Sequence, residues 1–148
     1  MLQHTMKKLL LIPVILLINL NVFAHDIFTA VKTNDLPALK YLLKKGVKIN
    51  DVNSKKETVL IVAALSNNNR MCYFLIEQDA EINVQDAKGN TALMYAVQLK
   101  NYDLAKVLIE HGAKTNQINY SGHSAVDFAR ELEDADMMRL ITLQGLNK

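Results

Sequence analysis

VQDAKGNTALMYAVQLKNYDLAKVLIEHGAKTN, residues 84–116, decides how the whole chain is read, because the residues on either side lie over it position by position. A shift of 33 residues pairs Thr91 with Thr58 and Ser124, Leu93 with Ile27, Leu60 and Val126, and Ala96 with Ala30, Ala63 and Ala129. The same shift pairs Asn116 with Asn83 and Asn50, so the period runs without insertion. Self-similarity of this kind marks stacked modules, each a unit whose apolar face only its neighbours can bury.

Within that stretch Asp86, Gly89, Thr91, Ala92, Leu93 and Ala96, followed by Val107-Leu108-Ile109 and Gly112-Ala113, resemble an ankyrin repeat. The resemblance runs from Asp26 onward. It implies an all-α solenoid of stacked helix-turn-helix units with β-hairpin-like finger loops. Four modules, two of them caps, would span about 26–50, 51–83, 84–116 and 117–148. The chain departs from the family's Thr-Pro-Leu-His pattern, since its tetrads are Thr58-Val59-Leu60-Ile61, Thr91-Ala92-Leu93-Met94 and Ser124-Ala125-Val126-Asp127. Without the usual Thr–His hydrogen bonding, a less rigid turn into each first helix is expected.

The first module lacks the front half of a unit and reads as a cap. Its second helix begins at Asp35, an N-cap residue, with Pro37 in the first turn where a missing N–H costs little. Leu36, Leu39, Leu42 and Leu43 follow at helical spacing, and Gly46 suits a left-handed helix end. The second module has Lys56 where the third has Gly89, and Asp79 where others have Gly46, Gly112 and Gly145. A left-handed residue other than glycine costs on the order of 1 kcal/mol, so this module is expected to be the least regular. Asn67-Asn68-Asn69 reads as a turn with capping side chains. In the third module Thr91 caps the first helix, Asp103 suits the dipole of the second, and His111 sits beside Gly112 in its last turn. The fourth repeats the finger, Asn119 to Gly122, then carries the capping box Ser124-x-x-Asp127 and a last helix from Asp134 to Gln144 ahead of Gly145. The alanine column would let helices approach closely, the column Ile27, Leu60, Leu93, Val126 would fill the space between them, and Asn50, Asn83 and Asn116 would bond the next loop's backbone.

Ahead of the repeats, Lys7-Lys8, the apolar run Leu9 to Leu20 and Val22-Phe23-Ala24 have the order of a cleavable export signal, residues 1–24, whether the start is Met1 or Met6. The run is short for about 30 Å of hydrocarbon and ends in Asn19 and Asn21, which disfavours a membrane anchor. Residues 25–148 would then work in a periplasmic or extracellular space. They carry 15 basic and 15 acidic side chains, a balance that does not favour nucleic acid. Lys44-Lys45, Lys55-Lys56 and Lys100 are scattered among acids and read as solvated surface. Cys72, in register with Leu39, Ala105 and Met138, reads as a buried, inert thiol, and one cysteine permits no internal disulfide.

No nucleophile with a base, metal cluster or phosphate loop stands out, so the expected protein is not an enzyme and needs neither cofactor nor metal. Glu131, Glu133, Asp134 and Asp136 crowd one turn, but the calcium-loop pattern is missing and solvated charge is the better reading. His25 would become the amino terminus after cleavage and could offer copper two nitrogens, yet His111 and His123 belong to distant modules. The resemblance implies binding of another protein, by a monomer, through fingertips and the inner face of the first helices. Carried onto this chain, those positions are Ser54, Lys55, Glu57, Leu65 and Ser66; Gln85, Ala87, Lys88, Asn90, Gln98 and Leu99; and Tyr120, Ser121 and His123, with Tyr120 and His123 the best anchor. The alternatives are a copper-handling or redox-associated envelope protein and an immunity or virulence factor on the same fold.

Overall fold

The computed structural model describes residues 26–145, where the 33-residue period becomes four helix-turn-helix pairs. The pairs are α1 (Ile27–Lys32) with α2 (Leu36–Lys44), α3 (Val59–Leu65) with α4 (Asn69–Glu77), α5 (Ala92–Gln98) with α6 (Tyr102–Glu110), and α7 (Ala125–Glu131) with α8 (Ala135–Gly145). The signal-like segment 1–24 and His25 lie outside the described residues. Among those residues no helix is long and apolar enough to cross a membrane.

Each pair is specified locally by side chains that satisfy amides a helix start leaves unpaired. Asp26, Thr58, Thr91 and Ser124 cap the first helices by accepting from the amides of Thr29, Ile61, Met94 and Asp127. Asp35, Asn68, Asn101 and Asp134 do the same for the second helices at 2.9, 3.2, 3.0 and 3.0 Å. Between the helices one left-handed residue recurs, Asn34, Asn67, Lys100 and Glu133, with φ of 56, 52, 53 and 51°. It turns the chain so that the next amide bonds the carbonyl of Ala30, Ala63, Ala96 or Ala129 at 2.8, 3.0, 2.8 and 3.3 Å. These alanines are fully buried, so the column serves both close packing and the turn.

Packing then joins the modules. The first helices stack in the order α1, α3, α5, α7, and α4, α6 and α8 follow one another behind them. Ile27, Leu60 and Leu93 are buried between modules. Val126 is only half-buried, which departs from the expected column, because no further first helix follows it among the described residues. Asn50 accepts from the Glu81 amide at 3.0 Å and Asn83 from the Lys114 amide at 2.8 Å, while the Asn83 amide group donates to the Gly112 carbonyl. Two members of the asparagine column, Asn50 and Asn83, thus tie their modules to the next loop. A second set of amides crosses the inter-helix turns, from Asn68 to Asn34 at 2.9 Å and from Asn101 to Asn67 at 2.6 Å.

Three expectations need correction. The second module is as regular as the third, with helices of seven and nine residues in both. Lys56 and Asp79 adopt φ of 57 and 59° because the surrounding bonds fix the turn whatever the side chain. Gly145 lies within α8 and does not form a separate turn. The first module holds both of its helices, the first capped by Asp26.

The loss of the Thr–His pair is offset in the third and fourth modules and not in the second. The Thr91 amide donates to the Met94 sulfur at 3.4 Å, a weak replacement. In the fourth module the Ser124 amide donates to the Asp127 carboxylate at 2.9 Å and closes a full capping box. Donation from Ser124 and the nearby Arg130 hold the Asp127 carboxyl below its usual range. In the second module Thr58 accepts from the Ile61 amide at 3.3 Å, and apolar Ile61 has no side-chain acceptor to return the bond.

Burial pushes the Cys72 thiol up to about 12, so thiol reagents at pH 8 should leave the folded protein unmodified and label it only in denaturant. Rapid labelling under native conditions would contradict this packing. Truncating Leu93, which is 1% exposed, to alanine should lower the unfolding free energy by about 2–5 kcal/mol in a urea titration. A loss below about 1 kcal/mol would show that the modules do not share one core.

Candidate partner-binding face

Three fingers precede α3, α5 and α7, and each is built around one acceptor side chain. Asn53 Oδ1 accepts from the amides of Lys55 and Glu57 at 2.9 and 3.0 Å. Asp86 Oδ1 accepts from Lys88 and Asn90 at 2.8 and 2.9 Å, and Asn119 Oδ1 from Ser121 and His123 at 2.9 Å each. Main-chain bonds from Asn53 to Glu57, Asp86 to Asn90 and Asn119 to His123 close the same loops. The left-handed positions are Lys56, Gly89 and Gly122. Regular strand pairing is confined, among the described residues, to the single bridge between Val52 and Thr58.

Neighbouring fingers are tied into a ladder. The Ala87 amide donates to the Lys55 carbonyl at 2.9 Å, and the Tyr120 amide donates to the Lys88 carbonyl at 3.1 Å. Gln85 Nε2 reaches the Ile118 carbonyl at 2.8 Å. Beneath the tips, Asn119 Nδ2 donates to Asn90 Oδ1 at 2.8 Å, Asn90 Nδ2 donates to the Tyr95 hydroxyl at 3.2 Å, and that hydroxyl donates to Asp86 Oδ2. Burial and the Asp86 carboxylate push the Tyr95 phenol up to about 12, so it stays a donor at neutral pH.

The expected binding residues divide accordingly. Ser54, Lys55, Ala87, Lys88, Tyr120 and Ser121 are exposed at the fingertips, and Leu65, Ser66, Gln98 and Leu99 are exposed at the far ends of α3 and α5. A seven-residue helix separates the two groups by about 10 Å. Glu57, Gln85 and His123 are half-buried. Glu57 accepts from Asn53 Nδ2 at 2.7 Å, and His123 stacks on Phe128 with Nε2 3.0 Å from Glu131. Asn90 is only 7% exposed and its amide is committed to Asn119 and Tyr95, so it supports the fingers from beneath and leaves the exposed set. Sequence reasoning missed Val52 and Ile118, which are 50% and 59% exposed and stand in register on the outer fingers. Their register with Gln85 was the available signal. Tyr95 was missed too, since nothing local shows that it bonds an aspartate nine residues earlier.

Repeated fingers joined by main-chain bonds, paired helices and the alanine-column turns together match one family description, ankyrin repeats (3 copies), over residues 27–141. The chain belongs to the ankyrin-repeat family. The matched span of this ankyrin protein begins at α1 and ends within α8. Among curated proteins, none matches it. Ankyrin repeats are protein–protein interaction modules and are generally non-catalytic. Among the described residues no group of three or more His, Cys, Asp or Glu side chains is placed to hold a metal ion. The acidic turn has structural partners, since Asp134 caps α8 and accepts from the Tyr102 hydroxyl at 2.6 Å. His111 Nδ1 meets the Val107 carbonyl at 2.8 Å at the end of α6.

Gly89 is required twice over. Its φ is +79°, and a Cβ there would stand 2.7 Å from the Tyr120 nitrogen and 2.9 Å from the Tyr120 ring. Gly89→Ala should therefore cost more than the roughly 1 kcal/mol of left-handed backbone alone and should speed exchange of the Tyr120 amide. Unchanged stability together with unchanged exchange would mean that the third and fourth fingers are not coupled.

Proposed function

We propose that this ankyrin protein is exported and, without catalysis of its own, holds a partner protein on its fingertips and the exposed ends of its first helices. The observation that carries the reading is the finger ladder, whose backbone is committed internally while Tyr120 stands 72% exposed at its end. A large aromatic held on a rigid support is the residue type that anchors interfaces. Export rests on the order of Lys7-Lys8, the apolar run and Ala24, and it places the work in a periplasmic or extracellular space.

A photo-crosslinking side chain at position 120, compared with one at exposed position 106 on α6, tests the binding surface in native cells. A discrete adduct from 120 and none from 106 is expected. Adducts of equal yield from both positions, or none from 120, would overturn the assignment. The intact mass of the protein from an envelope or extracellular fraction should lack residues 1–24. A full-length mass in the cytoplasm would refute export.

A further inference from the structure

Lys55 and Lys56 are far from Lys88 in the chain, yet the ladder gathers the three. The bond from the Ala87 amide to the Lys55 carbonyl makes Lys55 and Lys88 members of neighbouring rungs, about 5 Å apart in an extended pairing. All three side chains are exposed. The carboxylates of the same fingers are already engaged, for Asp86 is buried with both oxygens bonded and Glu57 accepts from Asn53. Asp51, the remaining acid, precedes the Val52–Thr58 bridge and stands at the base of its finger. None of the ion pairs among the described residues involves these lysines; they join Lys100 to Asp134, His123 to Glu131 and Arg130 to Asp127. Like charges on adjacent rungs repel, and a partner that supplies carboxylates there relieves the repulsion while gaining orientation. On the next rung the charge gives way to apolar surface, the Tyr120 ring lying against Gly89 with exposed Ile118 nearby in the same finger.

Building on the reading of the fingers as the partner face, we propose that they take an acidic protein segment carrying a large apolar side chain. Lys55, Lys56 and Lys88 meet its carboxylates and Tyr120 packs on the apolar residue. The carboxylates and the apolar group would lie one or two rungs apart, roughly 5–10 Å.

The test pans a displayed library of random linear peptides on the purified chain. Enriched peptides should be rich in Asp and Glu and contain a large apolar residue. Their affinity should fall at least about tenfold in the double variant Lys55→Glu/Lys88→Glu, should weaken as salt rises, and should fall separately with Tyr120→Ala. These side chains are exposed, so unchanged thermal unfolding should accompany each loss. Peptides without acidic bias that survive the lysine changes but are lost with Tyr120→Ala would overturn this inference and leave the fingers as the partner face. Peptides indifferent to every one of these changes would overturn both, and a selection that enriches nothing would overturn the inference. Oligothymidylate binding with the same lysine dependence and an affinity above the peptides' would replace the acidic segment with a nucleic acid.

Discussion

A helix of seven residues is too short to persist alone in water, and α3, α5 and α7 are all of that length. Everything else in the fold follows from having to bury such helices against copies of themselves. The 33-residue period keeps each small residue opposite the same gap, and the fully buried alanine column sets how closely neighbours approach. Since the alanine carbonyls also accept the amide that closes each inter-helix turn, packing distance and turn geometry are fixed by the same residue. A larger side chain at Ala96 would therefore disturb the approach of α5 and the turn into α6 together.

Polar groups obey the same period, and this is what joins the stacked helices and their fingers into one rigid surface. Amides from Asn50 and Asn83 join modules at one edge, and Asn34, Asn67, Asn68 and Asn101 join them at the inter-helix turns. At the fingers, the acceptor side chains Asn53, Asp86 and Asn119 satisfy two amides each, so the loops hold their shape without a β-sheet. Buried polar groups that are fully bonded rigidify a structure, and those left unpaired are expensive. The network of Tyr95, Asp86, Asn90 and Asn119 lies at the root of the ladder, where movement would misplace every tip.

Features that depend on one module were legible in the sequence. Asp35, Asn68 and the Ser124–Asp127 box cap helices as their local patterns require, Gly46 and Gly112 take left-handed turns, and Cys72 falls on an apolar face. Features that depend on two modules were legible where they recur at the period, as with Asn50 and Asn83, and not where they occur once. Asn90 has the look of an exposed finger residue until Asn119, 29 residues away, is brought against it. Lys55 and Lys88 look like scattered charge until the Ala87 amide makes their fingers adjacent. Of the finger glycines Gly89 and Gly122, only Gly89 faces a ring. Ala87, which holds the position of Tyr120 one module earlier, presents no ring to the residue beside it, so Lys56 can replace glycine at the cost of backbone strain alone.

That difference explains how the fingertip side chains can vary without loss of the fold. Ordering a loop costs about 1–2 kcal/mol per residue in backbone entropy, and in this protein the cost is met during folding by bonds internal to the fingers. A partner then has only the tip side chains left to order. Those side chains, Ser54, Lys55, Ala87, Lys88, Tyr120 and Ser121, leave the helix-packing columns untouched. Their charge and size are thus free to vary except where one tip rests on the next, and the Gly89–Tyr120 contact marks that coupling. Replacing Tyr120 removes the ring against which Gly89 is constrained. Tyr120 and the glycine are consequently one unit of variation, whereas Lys55 and Lys88 can each change alone.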